Sequence, residues 1–330
     1  MKRVAEQAGV SVQTVSAVIN DKPGITRETR ERVLAAIEHL GYRPFSIARS
    51  LRTGRTRTIA LVVSDIANPS FATIASVAED HAHSFGYSVV VYNTHDDIQR
   101  EASYMRTAIE RWVDGVLFVS AEDQMNSLHT LEAAGIPAVA IDRIPENYEG
   151  PSVTLDNVRA GQMAARHLLD LGHRRIAHIA GPLKLRLARE RLSGFRATLD
   201  LYGPAIPPYP VYEGDWTCRS GYAAMKRLLD APTRPTAVFA ANDRMAIGAM
   251  QAAQQAGLRV PDDISLIGLD DIEVSAFQNP PLTTVRQSFA DLATTGVRLL
   301  QDILDGKADG CRQIVIEPAL VCRESTSVAL

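Results

Sequence analysis

Between residues 58 and 270 the sequence alternates short apolar runs with stretches of helical periodicity. The runs IALVV (59–63), SVVVYN (88–93), GVLFVS (115–120) and AVAID (138–142) read as strands buried on both faces, a pattern that parallel sheets covered by helices produce. Helical patterns fill the gaps around 72–85, 102–111 and 125–134. The alternation restarts at SVTLD (152–156) and continues through RIAHIAG (175–181), AVFAAN (237–242) and ISLIGLD (264–270). This order predicts two doubly wound α/β units in series. Such sheets take ligands at the carboxyl ends of their strands.

A length of 330 residues suits two or three domains, each with a core of its own. The formal net charge is −3, from 35 Lys/Arg and 38 Asp/Glu, and gives no hint of a nucleic-acid partner. Its distribution does. Residues 1–58 hold eleven Lys/Arg and five Asp/Glu, a net of +6 that leaves −9 for the rest: a basic module on an acidic body. Cys218, Cys311 and Cys322 are scattered and lack C-x-x-C spacing, so neither a disulfide framework nor a zinc site is expected. The first 30 residues contain no apolar h-region and the aliphatic runs are far shorter than a membrane span, so the expected location is cytoplasmic.

The basic module opens with VAEQAGVSVQTVSAVIN (4–20). A short helix carrying Val4, Ala5 and Ala8 runs into Gly9, which can take the positive φ of a tight turn. Ser11 suits the N-cap of a second helix from Val12 to about Ile19. On that helix Val15, Val18 and Ile19 share one arc, while Val12, Gln13, Ser16 and Ala17 face the other way. Small and amide side chains on an outward face suit close approach to base edges. A third helix follows Thr26, with Val33, Ile37 and Leu40 on one stripe and Gly41 at its end. The three make a small all-α helix-turn-helix head. A bundle used only for packing has the same spacing, and the charge excess favours DNA. In residues 42–57, YRPFSIARSLRTGRTR, Pro44 breaks the preceding helix and the arginines stand without an acidic neighbour. Ile47 and Leu51, four apart, would ridge a short helix there; a flexible basic linker is the other reading.

The strings GVSVQTVSAVIN, ARSLRTGRT, IALVVSDIANPSF, ARERLSGF, EGDW, ANDRMAIGAM and LIGLDD occur in this order along nearly the whole chain. Together they resemble the LacI/GalR (lactose-repressor) family of bacterial transcription regulators. The resemblance implies a helix-turn-helix domain at 1–45, a hinge helix or linker at 46–57, and an effector-binding and dimerisation core at 58–330 of periplasmic-binding-protein type. Its two doubly wound parallel-sheet subdomains would be 58–152 with 285–315, and 153–284 with 316–330. DNA contacts would come from Ser11, Val12, Gln13, Thr14, Ser16, Ala17 and Asn20, and from Arg49, Leu51 and Arg52 in the hinge. Arg55 and Arg57 would lie close to phosphates as well. Leu51 matches the leucine that wedges into the minor groove, a way to kink DNA. Ala17 departs from the family's usual Arg, which alters the expected base preference. Met1 to Arg3 stand where the family usually has a capping Thr.

In the core the resemblance assigns Phe71, Asp142, Arg191, Trp216, Asn242 and Asp270 to the effector pocket. Two aromatic faces with carboxylate, amide and guanidinium groups suit a sugar or sugar acid, and a nucleobase is the other class left open. Leu185 and Leu187 fall where some relatives place polar ligand contacts. The family implies a homodimer on a pseudo-palindromic double-stranded operator, and without leucine heptads after LVCRES no coiled-coil tetramer is expected. The expected function is that of a repressor controlled by a small-molecule effector. A solute-binding protein of the same core is the alternative, though it would not carry the basic head. An enzyme is not expected, since no G-x-G-x-x-G, P-loop or H-E-x-x-H string occurs. No cofactor or metal is expected, and His81 and His83 lack i,i+4 ligand spacing.

Overall fold

Gly9 sets the shape of the amino-terminal unit. Its φ of 63° is left-handed, and it closes helix α1 (Lys2–Ala8) by turning its N–H back to the Glu6 carbonyl. Helix α2 (Val12–Ile19) then starts at Ser11, whose Oγ accepts from the Thr14 N–H at 3.1 Å, and α3 (Arg27–His39) starts at Thr26, which accepts from the Thr29 N–H at 3.3 Å. Val4, Ala5, Ala8, Val15, Val18, Val33 and Ala36 form the core between the three helices. The computed structural model describes residues 1–19, 22–42, 54–202, 211–308 and 312–329, and its contacts separate Met1–Thr56 from Arg57–Leu330. Asn20, Arg49, Leu51, Arg52 and most of the expected hinge helix lie outside the described residues.

The second unit consists of two lobes, each built on a six-stranded sheet. The first sheet has the order β11-β5-β4-β3-β1-β2, from β1 (Thr58–Val63), β2 (Ser88–Asn93), β3 (Gly115–Phe118), β4 (Ala138–Ile141), β5 (Ser152–Leu155) and β11 (Gln313–Ile316). The second has the order β12-β10-β9-β8-β6-β7, from β6 (Ile176–Ala180), β7 (Val211–Glu213), β8 (Ala237–Ala240), β9 (Ser265–Asp270), β10 (Thr283–Arg286) and β12 (Ala319–Val321). Every pairing is parallel except β10 with β12.

Alternate residues of each strand feed opposite helix layers. Leu61, Val63 and Leu117 pack under α4 (Pro69–Ser84) and α11 (Phe289–Leu304), while Ala60, Val62, Val116 and Phe118 pack under α5 (Ile98–Glu110) and α6 (Asn126–Ala133). In the second lobe Ile176, Ala237, Phe239 and Ile267 face α7 (Asn157–Asp170) and α8 (Arg186–Asp200). Ala177, Ile179, Val238 and Leu266 face α9 (Cys218–Leu229) and α10 (Asp243–Gln255). Both helix pairs touch through glycine. A methyl on Gly161 would lie 2.0 Å from the Arg191 carbonyl oxygen, and one on Gly248 would lie 1.8 Å from that of Cys218.

The strands correct the expected division of the core. SVTLD forms β5 of the first sheet, so the first crossing falls beyond Leu155; β10 stays in the second sheet through Arg286, and β11 stays in the first through Ile316. A strand buried on both faces carries the same apolar signature in either sheet, and only the path of the connection selects its partners. The strands β7, β10, β11 and β12 were not expected. β7, β11 and β12 are short edge strands with half-exposed faces, and β10, although buried, reads TTVR and lacks a bulky apolar run.

Candidate ligand pocket and nucleic-acid face

The connections at the carboxyl ends of the strands meet between the two lobes. Asn68 caps α4, accepting from the Ser70 N–H at 3.2 Å, and so presents Ser70 and Phe71 on the first turn. Asp142 and Arg143 follow β4 directly, Asn242 links β8 to α10, Asp270 ends β9, and Gln287 lies between β10 and α11. With Leu187 and Arg191 of α8, Trp216 from the loop before α9, and Phe289, these residues line a cavity whose empty space, part of it open to solvent, is about 310 Å³. All six residues expected from sequence are on its wall.

Three pocket residues have strained backbone. Asp142 (φ 62°), Trp216 (φ 70°) and Asp270 (φ 124°) are non-glycine residues on the left-handed side, a conformation that costs of the order of 1–3 kcal/mol each. The surrounding hydrogen bonds hold it. Arg191 is fully buried and donates from Nε to Asn157 Oδ1 (2.9 Å), from Nη1 to the Ala241 carbonyl (2.7 Å) and from Nη2 to Gln287 Oε1 (3.1 Å). Gln287 Nε2 donates to Asp142 Oδ1 at 2.5 Å, so one carboxamide joins an arginine of one lobe to a carboxylate of the other. The Arg191 guanidinium also lies 5.6 Å from the centre of the Trp216 ring, and that of Arg143 lies 5.4 Å from the centre of the Phe71 ring.

Asn242 differs from expectation. Its Oδ1 accepts from the Met245 N–H at 2.9 Å and its Nδ2 donates to the Trp216 carbonyl at 3.2 Å, so its first task is to cap α10 and fix the Trp216 loop. Arg191 likewise spends its fork on protein acceptors. Burial drives the Asp270 carboxyl well above the ordinary aspartate range, against the pull of Arg191. The Trp216 indole N–H is buried with no partner among the described residues.

Sequence reasoning missed Asn68, Ser70, Arg143, Gln287 and Phe289. The Asn68-Pro69 pair is a helix-start signal that could have placed the first two, and Arg143 adjoins a residue already chosen. Gln287 has no such marker, because the strand before it was not recognised. Leu187 lines the cavity, whereas Leu185 is buried in the core of the second lobe.

On the head, Val12 and Gln13 of α2 are exposed while Val15 and Val18 point into the helical core; Ser16 and Ala17 are half-buried. Ser11 and Thr14 join hydroxyls at 2.9 Å, so both serve the cap of α2. The outward face is therefore led by one aliphatic and one amide side chain near the helix start, the end that helix-turn-helix units present to base edges.

A helix-turn-helix head and a two-lobed, strained and polar pocket define a DNA-binding regulator with a sensor core of periplasmic-binding type. The chain belongs to the lacI family of bacterial regulatory proteins: that family model matches residues 1–44, and the model of the periplasmic binding protein-like domain matches residues 165–326. It is 38% identical over 331 residues to the HTH-type transcriptional repressor PurR of Pasteurella multocida (strain Pm70), covering 100% of this chain and 99% of the relative. It is also 38% identical over 301 residues to the ribose operon repressor of Escherichia coli (strain K12), covering 91% of each. A crystal structure of the lac repressor dimer bound to operator and the anti-inducer ONPF superposes with a TM-score of 0.90 at 33% identity, over 98% of both chains. No helix among the described residues is long and apolar enough to cross a membrane.

Proposed function

We propose that this regulator is a cytoplasmic homodimeric repressor in which residues 1–45 read a half-site of a pseudo-palindromic operator and residues 58–330 sense a sugar or sugar acid. The observation that carries the reading is the convergence of the six expected residues, from two helices and four loops or strand ends, on one cavity. Phe71, Trp216 and Phe289 supply apolar faces for a ring. Asp142, Asp270 and Asn68 supply polar groups for hydroxyls, and Gln287 holds Asp142 in place. Val12, Gln13 and Ala17 are the base-reading positions, with Ser11, Thr14 and Ser16 setting the geometry of that face. Asn20, Arg49, Leu51 and Arg52 complete the DNA contacts in this reading.

Thermal-shift screening of the full chain against monosaccharides, sugar acids and purines tests the ligand class. A binder at a hundred times its Kd adds about 2.7 kcal/mol to the stability of the folded state. A shift with purine bases alone would overturn the carbohydrate reading while leaving the pocket in place.

A further inference from the structure

Helix α8 carries Leu187 and Arg191 to the cavity, and it begins without a cap of its own. Its N-cap residue is Leu185, which makes no side-chain bond to the first turn, so main-chain N–H groups and the positive end of the helix dipole are left unanswered within the lobe. The carboxylate that meets them comes from the other lobe. Asp123, in the loop after β3, accepts from Arg189 Nη2 at 3.0 Å and faces the main-chain N–H of Arg186; its side chain is only 15% exposed. Arg189 also donates from Nη1 to the carbonyls of Leu183 (3.1 Å) and Lys184 (2.9 Å), and approaches Glu146 of the first lobe at 3.5 Å. Beside it Lys184 pairs with Glu122 at 2.9 Å, and elsewhere Arg244 of α10 reaches Asp65 at 3.4 Å. Each of these ion pairs joins one lobe to the other.

Burial raises the Asp123 carboxyl above its ordinary range, and the Arg186 N–H and Arg189 pull it back. The contact is therefore an exchange of partners. With the lobes apart, water serves Asp123, Arg189 and the first turn of α8; with the lobes together, the shielded Asp123 carboxylate relies on Arg189 and the Arg186 N–H, while Arg189, 41% exposed, keeps water and its two carbonyl partners. We propose that Asp123 is a positioning residue that caps α8 across the cleft, favouring the closed arrangement without ligand and fixing the helix that presents Arg191. This role for Asp123 does not depend on which effector the pocket takes.

The test is an inter-lobe distance measured by pulsed electron resonance on the full, ligand-free chain. The native cysteines are replaced by serine, spin labels are placed through Arg100→Cys and Arg219→Cys, one exposed site per lobe, and labelled chain is diluted into unlabelled chain. The wild-type background should give one dominant distance. Loss of a helix cap is worth roughly a tenfold change in a two-state ratio, so Asp123→Ala should raise the ratio of the longer-distance to the shorter-distance population by about that factor. Asp123→Asn keeps an acceptor for the Arg186 N–H but loses the charge, and should fall between. Adding Arg189→Ala to Asp123→Ala should open the cleft by less than the two single effects combined, because their shared contact is lost only once while the Arg189–Glu146 pair goes with Arg189. If Asp123→Ala lowers the melting temperature but leaves the distance distribution of the wild type, its role is confined to its own lobe and the proposal is overturned. Should Asp123→Ala fail to fold, Asp123→Asn and Arg189→Gln carry the same measurement, and an unchanged distribution in both overturns it equally.

Discussion

Gly161→Ala probes the contact on which the pocket's arginine rests. The added methyl would sit 2.0 Å from the Arg191 carbonyl oxygen and 3.0 Å from the Phe195 nitrogen, both main-chain atoms with no freedom to swing aside. A carbon–oxygen contact relaxes at about 3.3 Å, so α7 and α8 must part by roughly 1.3 Å. A gap near 1 Å forfeits a quarter to a half of the dispersion attraction across it, and overpacking of this kind costs about 1–3 kcal/mol. The rigid backbone puts the cost at the upper end, about 3 kcal/mol. The better helix propensity of alanine returns about 1 kcal/mol. The net loss of about 2 kcal/mol corresponds to a fall in Tm of roughly 4–8 °C for a unit of this size. Calorimetric unfolding of the full chain measures it. Gly194→Ala meets the Val158 carbonyl oxygen at 1.9 Å across the same helix pair, so the double variant should lose clearly less than the two single losses combined, since the helices part once. A Gly161→Ala protein that melts within about 1 °C of wild type, or a strictly additive double variant, would refute the reasoning.

Two buried groups should impose opposite pH slopes. His178 is held down at about 3 by burial, against an ordinary 6.5, so the stability it carries is present above pH 6.5 and is lost as pH falls toward 3. Asp243 is pushed up to about 7 by burial, against an ordinary 3.8, so its contribution is present below pH 3.8 and is lost as pH rises through 7. Unfolding free energies from urea titrations between pH 4 and 7 should fall more steeply toward acid in Asp243→Asn and less steeply in His178→Phe, by up to about 1.4 kcal/mol per pH unit. Parallel profiles for both variants and wild type would contradict this. On the head, Gln13→Ala should weaken operator binding by about 1–3 kcal/mol and leave binding to unrelated DNA nearly unchanged, in titrations at one salt concentration. Equal losses on both DNAs would remove Gln13 from base reading. Tyr92→Phe deletes a buried hydroxyl with no partner among the described residues and should leave stability unchanged or raise it by about 1 kcal/mol; a clear loss in calorimetry would show that the hydroxyl is bonded.

The residues that announced themselves in the sequence did so through chemistry that repeats or punctuates. Five-residue apolar runs such as IALVV gave the central strands, and Gly9, Ser11 and Thr26 gave the turns and caps of the head. The pocket was legible as a set of types known to gather in relatives of this sequence. What the sequence did not carry was partnership. Nothing in VRQSF says that Gln287 bridges Arg191 and Asp142, and nothing in ANDR says that Asn242 spends both ends of its amide on α10 and Trp216. Those contacts join elements far apart in the chain, and hydrogen-bond direction leaves no trace in periodicity. The left-handed φ of Asp142, Trp216 and Asp270 was equally invisible, since glycine, the usual marker of that conformation, is absent from all three positions.

The interleaving of the two sheets bears on how the protein is made. β5 takes its place beside β4 early, yet its outer neighbour β11 follows after a further 158 or so residues, and the second sheet waits for β12 beyond that. At about 5–20 residues per second of translation, the β5 edge stays unpaired for roughly 8 to 30 seconds. An open edge strand is a template for other chains. The head, by contrast, draws its whole core from residues 4–36 and can be folded before the first lobe's sheet begins. A ribosome thus releases a folded helical head long before either half of the sensor can close, and the nascent chain passes through an interval in which the β5 edge is open to its neighbours on the polysome.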